Sequence, residues 1–204
     1  MLNTARLTLI TQTSRLDGEP FFHTLQEALA GGVDQVLVRE KTMDSAKLLA
    51  FASRIRSITD AFHASLIIHS QADVAKAVQA DGVHVSSHDM AEIPAIRHWL
   101  NSPDMMISTA CHNLAELQQA EAWGADLAYL SPVFATQTHP DTPPLGIPSF
   151  QAITQTSRLP MIALGGITPD NRAQLKGYGV AVIGAILDAH DPRQAAQDLC
   201  EVKP

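Results

Sequence analysis

Eight short apolar runs recur along the chain, each followed by a longer segment with helical spacing, and this alternation limits the fold more than any other feature. The runs are Leu7–Thr11, Gln35–Val38, Leu66–His69, Gly82–Val85, Met106–Thr109, Leu127–Leu130, Met161–Leu164 and Val180–Ile183. Being short and apolar at nearly every position, they read as strands of a parallel sheet buried on both faces. The segments between them read as helices. Residues 21–30 place Phe22, Leu25, Ala28 and Leu29 on one face, and residues 45–58 place Leu48, Leu49, Ala52 and Ile55 likewise. Further helices are expected over 72–80, 93–100, 113–123, 148–157, 169–177 and 191–202. Asn113 reads as an N-cap with Glu116 three residues on, as in a capping box.

Eight β-α pairs in 204 residues match a minimal (β/α)8 TIM barrel. An open, doubly wound sheet is the alternative, but eight units account for the chain, so a single barrel domain over residues 1–204 is expected. No linker or low-complexity tract interrupts it. No apolar run approaches the 18 residues of a membrane span, and the N-terminal stretch lacks a signal-peptide core, which points to the cytoplasm. A formal net charge of −7 argues against a nucleic-acid or anionic-membrane surface. An anionic ligand would have to be held by local dipoles and a few placed cations.

Barrels of this kind carry their sites at the C-terminal ends of the strands. Gly165-Gly166 follows the seventh run, and Ile183-Gly184 closes the eighth. Glycine turns there let backbone N–H groups approach a phosphate. Arg39 and Lys41 follow the second run, two apart, and an extended chain points both to one side, which suits a second anionic group. The loop after the sixth run, residues 131–146, is long and proline-rich, and offers Thr136, Thr138 and His139. His69, His88, His112 and His139 all fall at strand ends. A histidine acid or base is the expectation there, with metal binding a weaker one because no compact ligand spacing is present. His84 lies inside a run and reads as a structural, hydrogen-bonded histidine.

The ordered motifs LTLIT, VREK, ADGVHVSSHD, CHNLAEL, GADLAYLSPVFATQTHP, ALGGITPDN and VAVIGAI resemble the thiamine phosphate synthase/TenI superfamily over nearly the whole chain. The resemblance implies a (β/α)8 barrel that binds a small phosphorylated ligand of the thiazole phosphate class, with homo-oligomers common. Its synthase branch couples a pyrimidine diphosphate to a thiazole phosphate with Mg2+. Its TenI branch includes a metal-independent tautomerase. The implied thiazole-phosphate site is Gly165, Gly166 and the backbone at Ile183 and Gly184. Arg39 and Lys41 match the family's Arg-x-Lys, Thr136 and Thr138 its Thr-x-Thr, and Asp89 one of two metal aspartates. The departures fall on the synthase chemistry. Leu37 replaces a glutamine, His69-Ser70 replaces Asn-Asp, Ala110 replaces a serine, and His139 replaces the lysine after Thr-x-Thr. Pro132 stands where the tautomerase carries a histidine. The stretch from Ser131 to Gly146 is also similar to the TenI-like domain fused behind Nudix hydrolases. The sequence therefore favours a TenI-like isomerase needing no cofactor, with His139, His69 or His112 moving the proton. The alternatives are an Mg2+-dependent synthase with Asp89 as the metal carboxylate, and a non-catalytic phosphate-binding or regulatory module.

Overall fold

The computed structural model describes residues 6–136 and 142–200. Eight parallel strands close into one barrel in sequence order: β1 (Leu7–Ile10), β2 (Gln35–Val38), β3 (Ser65–His69), β4 (Gly82–Val85), β5 (Met106–Cys111), β6 (Leu127–Leu130), β7 (Met161–Leu164) and β8 (Gly179–Val182), with β8 paired to β1. Each strand coincides with its apolar run to within two residues. The helices are α1 (Gly18–Ala30), α2 (Ser45–Ala61), α3 (Ala72–Ala77), α4 (Ile93–Leu100), α5 (Leu114–Ala122), α6 (Gly146–Thr154), α7 (Gly184–Leu187) and α8 (Pro192–Cys200). No helix among the described residues is long and apolar enough to cross a membrane.

Two expectations need correction. The segment 169–177 forms only a single 3-10 turn, Arg172–Leu175. Asn171 accepts from the Thr168 N–H and donates to the Gly166 carbonyl, which holds the chain in a turn where a helix would start. The eighth β-α unit contains the short α7 before α8, and a 3-10 turn, Ser87–Glu92, precedes α4. The capping box at α5 is modified. Asn113 accepts from the Glu116 N–H as expected, but the Glu116 carboxylate accepts from the His112 N–H, one residue upstream of the cap.

Strand residues alternate between two cores. Leu9, Val36, Val38, Leu66, Ile68, Val83, Ile107 and Leu130 face the helices. Ile10, Leu37, Ile67, Leu127, Tyr129, Ile162 and Ala181 fill the barrel interior. Beside them lie fully or nearly fully buried polar groups: Thr8, Gln35, His84 and Ser108. Each has a partner. Tyr129 Oη donates to Gln35 Oε1 at 2.6 Å, and Thr8 donates to the same oxygen at 3.0 Å. His84 Nδ1 lies 3.0 Å from Ser108 Oγ, and its ring meets Tyr129 edge-on at 4.8 Å between centroids. His84 is thus the structural histidine the sequence suggests.

The lower end of the barrel carries a clasp repeated three times. The carboxylates of Asp34, Asp81 and Asp126, just before the feet of β2, β4 and β6, accept from the N–H of Leu7, Leu66 and Ile107 on the preceding strand. In return the aspartate N–H donates to the carbonyl of the same residue, at 3.1, 2.8 and 2.8 Å. Arg56 and Arg97 bind the second and third carboxylates. A charge-assisted bond of this kind contributes roughly 1.5–3 kcal/mol. Asp126→Ala is therefore expected to lower unfolding stability by about 2 kcal/mol in urea titration; an unchanged midpoint would remove the clasp from the account.

Burial, with His69 and Arg39 nearby, pushes the pKa of His84 down to about 3. Burial first, then Arg39 and Lys41, pushes His69 down to about 4, against the opposing pull of Asp89. In the unfolded chain both titrate near 6.5, so between about pH 6.5 and 4 the unfolded state binds more protons than the folded one. Stability should therefore fall as pH drops through that window, by about 1.4 kcal/mol per pH unit for each histidine. Urea denaturation across pH 4.5–7 should show the slope, and His84→Gln should remove about half of it. An unaltered slope in that variant would contradict a neutral imidazole in the barrel.

Candidate functional site

The alternation that aims Gln35 and Leu37 into the barrel continues upward to Arg39. On β3 it runs through Ile67 to His69, and on β5 through Ser108 and Ala110 to His112. Leu37, Arg39, His69, Ala110 and His112, with Lys41, Ser70, Asp89, Ser131, Pro132, Thr136, Gly165, Gly166, Ile183 and Gly184, line one cavity of about 820 Å3 at the C-terminal mouth. The structure therefore gathers Arg39, Lys41, His69, His112, Asp89, Thr136 and both glycine turns around a single space. Thr138 and His139 lie outside the described residues.

Arg39 is half-buried. Its N–H donates to Thr11 Oγ1 at 3.0 Å, and burial lowers the guanidinium's pKa while Glu40 opposes that shift. The acids that could neutralise the Arg39–Lys41 pair are engaged elsewhere. The Glu40 carboxylate accepts from the Thr13 backbone N–H and, at 2.6 Å, from its hydroxyl. Asp44 caps α2 through the Lys47 N–H and pairs with the Lys47 ammonium. Among the described residues neither Arg39 nor Lys41 forms an ion pair, so two cations face the cavity without a paired carboxylate. A half-buried guanidinium in that position suits a bidentate anion.

Beside this pair stands His69, neutral at pH 7, with Nδ1 3.0 Å from the Ser70 hydroxyl. Ser70 adopts a left-handed backbone, φ 61°, and its N–H donates to the His84 carbonyl on β4. Asp89 lies at the cavity rim, and its Oδ2 accepts from Ser86 Oγ at 2.7 Å. His112 is exposed, with Nδ1 2.8 Å from Glu116 Oε2, an acid that also anchors the start of α5. Cys111 points to the outer core, where burial pushes its thiol up to about 12, so it is no nucleophile at neutral pH.

Gly165 and Gly166 have φ +100° and +64°. A Cβ on the first would stand 2.7 Å from Pro132 Cβ, and on the second 2.3 Å from the Ala135 carbonyl oxygen. The start of the long loop packs against their side-chain side, held by Val133 N–H to Leu164 O and Phe134 N–H to Gly165 O. These glycines thus have a packing reason of their own. Among the described residues no protein acceptor meets the N–H groups of Gly166, Gly184 or Ala185. They are available to an anion in the cavity.

Among the described residues no group of three His, Cys, Asp or Glu side chains could hold a metal alone. Asp89 can still contribute one oxygen-donor carboxylate. Mg2+ is commonly held by one or two carboxylates together with substrate phosphate oxygens and water. The donor set therefore fits Mg2+ only when an anionic substrate supplies the rest.

Comparison with known proteins identifies the family. The family model described as thiamine monophosphate synthase matches residues 7–188. A thiamine-phosphate synthase of Chloroflexus aurantiacus is 35% identical over 198 residues, covering 95% of this chain and 90% of that protein. A putative thiamine-phosphate synthase 2 of Aquifex aeolicus is 34% identical over 186 residues, covering 90% and 98%. Among solved structures, a thiamine phosphate pyrophosphorylase from Pyrococcus furiosus superposes with a TM-score of 0.84 at 32% identity, covering 96% of this chain and 93% of its own. A 3-hexulose-6-phosphate synthase, at 20% identity and a TM-score of 0.69, shares the fold. By its matched length, its relatives and its barrel, the chain belongs to the thiamine monophosphate synthase family.

Proposed function

We propose that this chain is a thiamine phosphate synthase, joining a pyrimidine diphosphate to a thiazole phosphate. The sequence favours an isomerase, whereas the names of the relatives favour the synthase. One observation carries the reading. A single cavity of about 820 Å3 holds two features suited to anions, the Arg39–Lys41 cations after β2, which form no ion pair among the described residues, and the glycine turns after β7 and β8. That volume lies at the upper end of ordinary ligand pockets, and a lone thiazole phosphate would leave much of it empty.

In this reading the amides at Gly166, Gly184 and Ala185 hold the thiazole phosphate, and Arg39 and Lys41 hold the diphosphate. As the two rings are joined, diphosphate leaves with its electron pair, and two fixed cations meet the charge that develops on it. His69 stays neutral because its burial and the same cations disfavour imidazolium, so it adds a hydrogen-bonding group without a third charge. Thr136 stands on the loop side of the cavity. Mg2+, held by Asp89 and the diphosphate, would supply Lewis-acid assistance to the leaving group. Ser86 orients the Asp89 carboxylate for that role.

A second reading, an isomerase acting on one thiazole phosphate through His69, is favoured by Ser70. It stands where the resemblance places the second metal carboxylate, and its hydroxyl is bonded to His69. One assay separates the two. Purified protein is given both substrates, with Mg2+ or with EDTA, and separately the carboxylated thiazole precursor alone. The synthase reading expects thiamine phosphate only with Mg2+, a loss of about 10²-fold in kcat/KM for Arg39→Gln, and a similar loss for Asp89→Asn. No thiamine phosphate, with conversion of the precursor that ends in His69→Gln, would establish the isomerase instead.

A further inference from the structure

Around the rim, β1 lies between the diphosphate side on β2 and the phosphate side on β8. The segment after β1 carries Arg15, which lines the cavity. Its position is built from three directions. Arg15 N–H donates to the Gln12 carbonyl at 2.9 Å, closing a turn, and Nε approaches Gln12 Oε1 at 3.4 Å. Thr13 inside that turn is tied to Glu40 through its N–H and hydroxyl. Arg15 Nη1 pairs with Asp188, just after α7.

The ion pair crosses the first residue of α7. A Cβ at Gly184 would stand 2.8 Å from Asp188 Oδ2 and 3.2 Å from Arg15 Nη1. Gly184 is not among the positive-φ glycines, so its missing side chain answers to this crossing and not to its backbone angle. The guanidinium is thereby laid against the turn whose Gly184 and Ala185 N–H groups have no protein acceptor among the described residues. Its Nη2 makes no hydrogen bond among the described residues. The backbone groups there supply partial positive charge only, and the chain's net charge of −7 gives a dianion no help from afar.

We infer that Arg15 is a binding residue for the ligand's phosphate, the full positive charge that completes the glycine turn and makes the site select a phosphate over the free alcohol. Asp188 holds the guanidinium in place. This inference rests on the reading of the glycine turns as the thiazole-phosphate site. It adds a residue that neither the glycine pattern nor the Arg-x-Lys motif includes.

Calorimetry with thiazole phosphate and with the corresponding thiazole alcohol tests it in wild type, Arg15→Met and Arg15→Lys. Arg15→Met is expected to weaken the phosphate ester 10- to 100-fold, about 1.4–2.8 kcal/mol, and to leave the alcohol unchanged. Arg15→Lys should recover part of the loss. Equal affinities in wild type and Arg15→Met would overturn the inference. So would an equal loss for ester and alcohol, which would mark Arg15 as a latch between the β1 segment and α7. If wild type takes up no thiazole phosphate, the reading of the site falls separately, and titration with inorganic phosphate decides Arg15 alone. Weaker phosphate uptake in Arg15→Met supports the assignment, and unchanged uptake rejects it.

Discussion

Everything at the mouth depends on the strict two-residue alternation along eight parallel strands. A closed barrel leaves each strand one inward and one outward set of side chains, and a one-residue slip would exchange them. In β2 the inward set is Gln35, Leu37 and then Arg39; in β3 it is Ile67 and then His69. The register that buries the hydrocarbon layer therefore also aims the cation and the imidazole upward. The aspartate clasps at the lower end fix that register from outside the sheet. Asp34, Asp81 and Asp126 each bind a residue at the start of the neighbouring strand, through both side chain and backbone.

Electrostatically the mouth is an exception to the molecule around it. The chain is acidic overall, yet among the described residues Arg39 and Lys41 form no ion pair, because Glu40 and Asp44 serve other bonds. Glu40 secures the segment after β1, and Asp44 caps α2. Together with burial, the same charge pattern depresses the pKa of His69 and so keeps additional positive charge out of the site at neutral pH. Burial pushes the Tyr129 phenol up and the His84 imidazole down, so the barrel interior stays uncharged beneath a charged rim. Neutral, fully partnered groups cost little in such an interior, whereas an ion there would cost a great deal.

Much of this was legible in the residues themselves. The strands were, because a run of four or five residues apolar on both faces is too short for a buried helix and suits a covered parallel sheet. Arg39, Lys41 and the two glycine turns were, because they follow those strands directly, whereas Asp89 was singled out by the family resemblance. What escaped reading depends on partners distant in the chain. The clasps join residues 15 to 27 apart, and Tyr129 reaches Gln35 across 94 residues. Arg15 meets Asp188 across 173 residues. Periodicity carries no signal for such pairs, although an aspartate recurring at the foot of β2, β4 and β6 is a hint present in the residues. The helix expected at 169–177 failed for a local reason: the Asn171 side chain competes for the backbone groups that a helical turn would use.

The central claim is that one cavity holds two anionic substrates side by side. Its most direct test is calorimetric titration of thiazole phosphate into protein already saturated with a non-reacting pyrimidine diphosphate analogue and Mg2+. The account predicts uptake of one thiazole phosphate per chain with affinity equal to or greater than that of the free protein, the bound pair sharing the cavity. Competition between the two ligands, with the analogue abolishing uptake of the thiazole, would show a single anion site and contradict the account.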